Sequence, residues 1–304
     1  MKNQKFVPVV YHPDYVTPIP QEHRFPMPKF KLLYELLLKD GITHEKVTQR
    51  PPLATKEILE LVHKPEYIEK YCTGTLEEKA LRRIGLPWSE GVVKRTCTAV
   101  GGTILTAQIA LKEGICCNTA GGTHHAFPDY GSGFCIFNDI AITCRYLLKH
   151  QLVKRILIID LDVHQGDGTA YTFSHQSEVF TFSMHCEANF PYRKQISDLD
   201  IPLPVGLDDD GYLQILAYHL EDLLTEIKPD LVIYDAGVDT HREDKLGKLC
   251  LTNTGLYRRE RLVISNCLAR GYPVACVIGG GYAKDINELV YRHSILHRAV
   301  QDSI

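Results

Sequence analysis

Three side chains able to bind a metal ion follow the most apolar segment of the chain at alternate positions. They are Asp160, Asp162 and His164, in the sequence RILIIDLDVHQGDG. On an extended backbone these three residues point to one side, and the residues between them point to the other. The run Arg155–Leu161 is typical of a strand buried on both faces, where an uncompensated carboxylate is very costly. We therefore expect a cation there, with Asp162 and His164 among its ligands.

The segment DAGVD, after another apolar run, supplies candidates for the third ligand. Asp239 is favoured over Asp235, because Asp235 directly continues the strand whereas Asp239 lies beyond a turn at Gly237. Three protein ligands that leave positions open for water and substrate are what a catalytic zinc site requires. Two oxygens and one nitrogen suit Zn²⁺, although Fe²⁺ or Co²⁺ can use the same ligands. Alternatively, these carboxylates cap helices or pair with Lys245 and Arg242.

Adjacent histidines and a tyrosine supply the other groups that hydrolysis needs. His124 and His125 can each donate a ring N–H to Asp160 or Asp167, which fixes the tautomer and raises the basicity of the ring. A base beside a metal-bound water is the arrangement used for hydrolysis. Tyr282 follows three glycines that let the backbone approach closely, and its phenol can donate to a tetrahedral oxyanion.

Short apolar runs alternate with helical patterns along the chain. The predicted strands are Phe6–Tyr11, Gly114–Asn118, Arg155–Leu161, Val179–His185, Leu231–Tyr234 and Val274–Ile278. The predicted helices are Val92–Glu113, Asn138–His150, Tyr212–Lys228, Gly255–Arg270 and Ala283–Ala299. This alternation predicts an α/β fold with a mainly parallel sheet and helices on both faces. Ligands of such folds bind beyond the carboxyl ends of the strands, where four segments place their polar residues.

Composition excludes several classes of protein. The 304 residues predict a single domain over 1–304, and the net charge of −3 without long basic runs argues against nucleic-acid binding. No apolar stretch approaches the roughly 18 residues that span a bilayer, and the N-terminus lacks the apolar core of an export signal. The ten cysteines contain no C-x-x-C, which indicates buried thiols in a reducing compartment. We expect a cytoplasmic protein.

Taken in order, the motifs GGTHH, GSGFCIFND, DLDVHQGDG, DAGVDxxxxDxLG and GGGY resemble the zinc-dependent histone deacetylase family. The N-terminal HP and the segment VHKPEYI extend the resemblance over nearly the whole chain. Gln165 and the run Thr98–Leu105 are similar to the class IV branch and its bacterial relatives. The resemblance implies the three-layer arginase/deacetylase-like fold, in which helices flank a central, mainly parallel sheet of about eight strands.

The resemblance also implies a role for each matching residue. The ligands of one Zn²⁺ would be Asp162, His164 and Asp239. The catalytic residues would be His124, His125 as general base and acid, Asp160, Asp167 and Tyr282. The substrate-binding residues around the acyl-lysine tunnel would be Gly133, Phe134, Phe190 and Gly280. A structural K⁺ would be bound by oxygens of Asp160, Asp162, His164, Ser183 and Met184, and a weaker monovalent site by carbonyls around Phe173, Gln176 and Val179.

The expected activity is removal of acetyl or long-chain fatty acyl groups from the ε-amine of lysine in proteins or peptides. Class IV relatives favour long acyl chains, and only Glu90 stands where related enzymes grip the substrate backbone with an acid. A two-metal arginase-type hydrolase is the first alternative, although Gly166 stands where it needs a bridging carboxylate. An acetylpolyamine deacetylase with Glu187 as gatekeeper and a non-catalytic acyl-lysine binding protein are the others. The oligomeric state and the physiological substrate stay open.

Overall fold

A central sheet of eight parallel strands organises the computed structural model, which describes residues 6–304. The strands are β1 (Val9–Val10), β2 (Thr48–Gln49), β3 (Ile115–Asn118), β4 (Ile156–Asp160), β5 (Val179–Cys186), β6 (Leu199–Leu203), β7 (Leu231–Asp235) and β8 (Val274–Val277). Their spatial order is β2-β1-β3-β8-β7-β4-β5-β6. The predicted α/β fold is confirmed. The first five residues, where the stretch examined for an export signal begins, lie outside the described residues.

Helices cover both faces of the sheet. Those within residues 6–304 are α1 (Lys29–Lys39), α2 (Lys56–Leu59), α3 (Pro65–Cys72), α4 (Glu78–Ile84), α5 (Glu90–Glu113), α6 (Asp139–Lys149), α7 (Asp167–Phe173), α8 (Asp209–Ile227), α9 (Asn253–Ala269) and α10 (Ile286–Gln301). In that part of the chain no helix is long and apolar enough to cross a bilayer.

Alternate residues of the central strands face different helical layers. In β4, Ile156 and Ile158 pack in one buried cluster with residues of α5 and α6. Leu157 and Ile159 pack in the other cluster, with residues of α8, α9 and α10. Every residue of β3, β4, β7 and β8 is buried, which accounts for their continuous apolar sequences. The sheet is therefore the middle of three layers.

Two strands, β2 and β6, were not predicted, and three predicted strands, β1, β4 and β8, end one residue earlier than expected. β2 has only two residues, and β6 is a partly exposed edge strand that contains Pro202, so neither shows an apolar run. β4 ends at Asp160, whose Oδ1 accepts the Asp162 N–H at 3.1 Å, and Asp162 Oδ1 accepts the His164 N–H at 2.9 Å. These local hydrogen bonds bend the backbone beyond the strand. Asp162 and His164 therefore lie in a loop and not on an extended strand.

A buried ion pair lies behind this loop. Arg259 and Glu260 on α9 are bonded at 2.6 Å with side chains 0% and 1% exposed. Arg259 also donates to the Leu161 carbonyl at 3.1 Å, and Glu260 accepts from the Tyr234 hydroxyl. The pair thus joins α9 to β7 and to the backbone between Asp160 and Asp162.

We predict that Arg259→Met lowers the free energy of unfolding by about 3–5 kcal/mol, because it leaves the Glu260 carboxylate buried and uncompensated. Urea denaturation measures the loss. Arg258→Met is the matched control, because Arg258 pairs with Asp210 on the exposed surface, and it should change stability by less than about 1 kcal/mol. Equal losses in the two variants would contradict a structural role for the buried pair.

Candidate active site

Four adjacent strands at the middle of the sheet end at one site. β3, β8, β7 and β4 are neighbours in that order, and all run in the same direction. The loop after β3 carries His124 and His125, and the loop after β8 carries Tyr282. Asp239 follows β7, and Asp162 and His164 follow β4. The structure therefore brings the predicted ligands and catalytic side chains to one edge of the sheet, as the strand order of an α/β fold requires.

The three predicted metal ligands form a compact group. One side-chain donor atom from each of Asp162, His164 and Asp239 lies within 4.8 Å of the others. Nδ1 of His164 is 3.0 Å from Asp162 Oδ1 and 3.2 Å from Asp239 Oδ2. The other carboxylate oxygens accept backbone hydrogen bonds, from Gly280 N–H to Asp162 Oδ2 at 2.7 Å and from Val163 N–H to Asp239 Oδ1 at 2.9 Å. These bonds fix both carboxylates with one oxygen each toward His164.

This donor set fits a divalent cation. Asp239 Oδ2 is buried and accepts no hydrogen bond, although it faces His164. Burial opposes protonation of His164, but Asp162 and Asp239 outweigh burial and raise its pKa to about 10, which shows a strong local demand for positive charge. A cation held by a neutral imidazole meets the same demand. Neither Arg242 nor Lys245 forms an ion pair with these carboxylates within residues 6–304, so the alternative of surface pairing fails.

Each of the tandem histidines is hydrogen bonded to its own carboxylate. Nδ1 of His124 lies 2.8 Å from Asp160 Oδ2, and Nδ1 of His125 lies 2.6 Å from Asp167 Oδ1. Their Nε2 atoms are 3.2 Å apart. The loop that carries them is anchored by the Asp139 carboxylate, which accepts N–H groups of the preceding Gly-Thr pair. Both imidazoles are therefore held by their Nδ1 atoms, and their Nε2 atoms face each other within hydrogen-bond distance.

The two histidines differ in charge. Burial opposes protonation of His124, but the Asp160, Asp162 and Asp235 carboxylates together raise its pKa well above the usual value. Burial and, after it, the neighbouring His124 charge lower the pKa of His125 to about 4. His125 is therefore neutral and able to accept a proton at neutral pH, beside an imidazolium that can return one.

Tyr282 lines the same cavity as His125 and His164. Its backbone N–H donates to Asp244 Oδ2 at 2.6 Å, which fixes the start of the segment after the glycines. Burial raises the pKa of the Tyr282 phenol well above 10, and the nearby Asp162 and Asp239 carboxylates add to the effect. The phenol thus keeps its proton and remains a hydrogen-bond donor toward the cavity.

The cavity, of about 540 Å³, has aromatic walls. The Phe190 ring lies 4.9 Å from the His125 ring, and the Phe134 ring lies 5.7 Å from the Tyr282 ring. Gly133 also lines the cavity, and a Cβ there would lie 2.7 Å from His125. Gly280 was expected to bind substrate, but it does not line the cavity. Its N–H donates to Asp162 Oδ2 instead. Three of the four predicted substrate-binding residues therefore surround the cavity.

The acids considered as substrate contacts lie elsewhere. Glu90 is exposed at the first position of α5, and Glu187 is exposed with a carboxylate oxygen 3.9 Å from His185 Nε2. Neither lines the cavity. Gln165 is buried and exchanges hydrogen bonds with the backbone of Gln195 at 2.8 Å. It therefore joins the loop of Asp162 and His164 to the segment that follows Phe190.

The monovalent sites stay predictions. β4 and β5 pair so that Ser183 lies beside Asp160, with Met184 next along the strand. The Ser183 hydroxyl is 3.0 Å from His185 Nδ1. At the second proposed site, the Phe173 carbonyl accepts the Gln176 N–H at 3.0 Å, and the Gln176 carbonyl accepts the Val179 N–H at 3.5 Å.

Two buried ionisable residues beside the site, Asp235 and Lys29, were given no role by the sequence analysis. Asp235, rejected as a ligand, is fully buried with both oxygens lacking a hydrogen-bond partner, and Oδ2 lies 3.8 Å from His124 Nδ1. His124, Asp160 and Asp235 form a second group of closely spaced donor atoms. Lys29 is also buried, donates to the Gly279 carbonyl at 3.2 Å, and has its pKa lowered by burial to about 8. The position of Asp235 at a strand end was a signal, but nothing in the sequence marked Lys29.

A further buried histidine supports the tandem-histidine loop. Nε2 of His63 accepts the Asn138 N–H at 2.9 Å, and its Nδ1 donates to the Phe127 carbonyl at 3.0 Å. The Asn138 side chain donates in turn to the carbonyls of His124, at 3.4 Å, and Ala126, at 3.3 Å. Only a neutral His63 with its proton on Nδ1 can make both of its bonds.

The sequence and the fold of this chain are similar to those of known proteins. Residues 23–297 match the histone deacetylase domain family. An uncharacterized protein of Picosynechococcus sp. is 72% identical over 295 residues, which cover 97% of this chain and 98% of that protein. Acetoin utilization protein AcuC of Staphylococcus aureus is 34% identical over 286 residues, covering 86% and 73% of the two chains. The crystal structure of an HDAC homolog from Aquifex aeolicus matches with a TM-score of 0.82 at 27% identity, covering 99% and 85%.

We predict that acid weakens the fold through His63. Burial lowers the pKa of His63 to about 4 from 6.5, so the unfolded chain takes up the proton first as the pH falls. The contribution is complete above pH 6.5 and is lost between pH 6.5 and about 4, by about 3 kcal/mol in total.

Urea unfolding across this pH range measures the loss, and His63→Gln should reduce the pH dependence. His175→Gln is the control, because this imidazole is exposed and stays in water in the folded state. An undiminished pH dependence in His63→Gln would contradict the prediction.

Proposed function

Because the chain belongs to the histone deacetylase family, we propose that it hydrolyses the side-chain amide of acyl-lysine in proteins and releases acetate or a long-chain fatty acid. The observation that carries this proposal is the pair of histidine–carboxylate contacts beside the ligand group. They supply a neutral base and a charged acid at one end of an aromatic-walled cavity. Phe134 and Phe190 provide apolar walls for a lysine stem or an acyl chain.

His125 accepts a proton from the attacking water through its Nε2, and Asp167 stabilises the resulting imidazolium from Nδ1. Tyr282 donates its phenol proton in a hydrogen bond to the oxyanion of the tetrahedral intermediate. When the carbon–nitrogen bond breaks, a protonated histidine of the pair gives its proton to the departing lysine amine. The products are a carboxylate and free lysine.

The proposal includes one bound divalent cation, Zn²⁺ or in its place Fe²⁺ or Co²⁺, held by Asp162, His164 and Asp239. When bound, such a cation polarises the scissile carbonyl and lowers the pKa of water. The proposed placement near class IV is based on Gln165 and the run Thr98–Leu105. The proposed structural K⁺ is supported by the pairing of β4 with β5, which brings Ser183 beside Asp160.

Two features count against the alternatives. An acetylpolyamine is cationic, but no acid lines the cavity within residues 6–304, and Glu187 lies outside it. A protein that only binds acyl-lysine has no need of the His125–Asp167 pair, which is present and well aligned. The arginase-type alternative retains one candidate second site, formed by His124, Asp160 and Asp235 and not by position 166.

We predict that Tyr282→Phe lowers kcat on acetyl-lysine or myristoyl-lysine peptides by about 10²–10³, the usual cost of removing an oxyanion donor. Zinc content should be unchanged, because the phenol lies outside the ligand group. Peptide turnover with metal analysis of the same samples provides the test. Tyr218→Phe, on the exposed surface of α8, is the control. Full activity in Tyr282→Phe would remove this residue from the mechanism.

Metal analysis of two aspartate variants tests the cation site. Asp239→Asn should lose most bound Zn²⁺, because it removes the charge of a ligand that faces His164. Asp235→Asn is the matched control, since it is also buried but lies outside the ligand group, and it should keep one Zn²⁺ per chain. Two ions per wild-type chain, with one lost in Asp235→Asn, would favour the two-metal alternative.

A further inference from the structure

We propose that the cavity mouth selects acyl-lysine in acidic stretches of polypeptide, with negatively charged residues beside the modified lysine. This inference rests on the proposed function, because it concerns the substrate of the same site. It begins from the charges around the cavity. Four cationic side chains line it, all exposed: Arg24, Arg82, Arg83 and Lys248. No aspartate or glutamate lines it in the described part of the chain.

This positive mouth is a local feature. The chain as a whole carries a net charge of −3, so four cations without an acid at one opening do not reflect a generally basic surface. They come from three separate segments, before α1, at the end of α4 and after the β7 loop. A cavity lined by one sign of charge concentrates ligands of the opposite sign and speeds their association.

Two of the cations are free to meet a substrate. Within residues 6–304, neither Arg24 nor Arg83 forms an ion pair, whereas Arg82 is 2.8 Å from exposed Glu78. The Arg24 guanidinium carbon lies 5.2 Å from the Phe134 ring centroid. The guanidinium carbon of Arg83 lies 4.6 Å from the Tyr130 ring centroid. Stacking orients a guanidinium while leaving its N–H donors available to carboxylates.

The cations are also tied to the tunnel wall. The Phe134 N–H donates to the Ile84 carbonyl at 2.7 Å, and the Gly133 N–H donates to the Arg83 carbonyl at 3.3 Å. On the other side, Lys248 donates to the Ala188 carbonyl at 2.7 Å, next to the segment that carries Phe190. An acyl-lysine inserted between the aromatic walls therefore places its neighbouring residues against these charges.

An acidic polypeptide fits this arrangement better than a small anion. The charges lie on three segments around the opening, and one small carboxylate can contact only one or two of them. Residues before and after an acyl-lysine extend away in two directions and can reach charges on both sides. The same positive charges repel a cationic polyamine. Glu187, the acid considered for binding a polyamine, lies outside the cavity and does not offset them.

The test uses three acetyl-lysine peptides that are identical except for Glu, Gln or Lys at the flanking positions. For the zinc-loaded wild-type protein we expect kcat/KM and binding affinity to rank Glu above Gln above Lys. The extremes should differ by about tenfold at low salt, as two or more exposed charge pairs predict, and the difference should shrink in high salt. Equal values for the three peptides would overturn the inference.

Charge reversal identifies the residues. Arg24→Glu/Arg83→Glu should abolish the ranking of the peptides, because the mouth then carries two cations and two carboxylates. Lys112→Glu/Lys149→Glu is the matched control: it makes the same change in net charge at the ends of α5 and α6, which lead into the amino ends of β3 and β4. It should keep the wild-type ranking. Loss of the ranking in the control would assign the effect to overall charge, and an unchanged ranking in the mouth variant would assign it to other residues; either result would overturn the inference.

Two results separate this inference from the proposed function. Stronger binding of the Glu peptide without hydrolysis of any peptide would support the charged mouth and overturn the hydrolase. Hydrolysis of all three peptides at one rate would do the reverse. Nα,Nε-diacetyl-lysine, an anion, and its neutral primary amide form the last comparison. A preference for the carboxylate over the amide as large as that for the Glu peptide would indicate a small anionic substrate. It would overturn the inference that the mouth selects a polypeptide.

Discussion

The burial of several carboxylates at one edge of a parallel sheet is the constraint on which this site depends. Asp160, Asp162, Asp235 and Asp239 are each at most 3% exposed. Buried carboxylates are stable only with hydrogen bonds or opposite charge. Backbone N–H groups satisfy some of their oxygens, and two imidazoles face others. The remaining demand for positive charge, which also raises the pKa of His164, makes this edge a candidate cation site.

The same crowding explains why glycines surround the site. A Cβ at Gly280 would lie 2.2 Å from Asp239 Oδ2, and one at Gly237 would lie 2.2 Å from Asp162 Oδ2. Only residues without side chains let the β7 and β8 loops approach the carboxylates closely enough for backbone contact. Behind the loop, the buried Arg259 guanidinium binds the Leu161 carbonyl. The position of the loop that carries Asp162 thus depends on the packing of α9 against the sheet.

Electrostatics divides the work between the tandem histidines. They are adjacent in sequence and of the same type, yet Asp160 and its acidic neighbours favour protonation of His124, whereas burial and that charge keep His125 neutral. A base and an acid thereby stand side by side at one pH. Farther out, the charges change sign: carboxylates lie behind the His125 and His164 side chains that line the cavity, whereas guanidinium groups line its mouth.

Much of this arrangement was predictable, because it depends on residue patterns within short segments of the sequence. Alternating donors after an apolar run indicated Asp162 and His164, and the alternation of strands and helices predicted the layered fold. The long helices α5, α6, α8, α9 and α10 and the central strands were predicted to within a few residues, because burial gives them regular apolar patterns. The shorter helices α1, α2, α3, α4 and α7 were not predicted. The edge strand β6 escaped prediction because it is partly exposed and lacks such a pattern.

The sequence by itself determined which chemical groups are available and on which segments they lie. Only the tertiary structure decided the rest. The unpaired state of Asp235, the burial of Lys29 beside Gly279, and the meeting of Arg24 with Arg83 at one opening depend on segments far apart in the chain. The order β3-β8-β7-β4 brings such segments together. Desolvation and charge coupling act over a few ångströms in space, so they arise only after that order is formed.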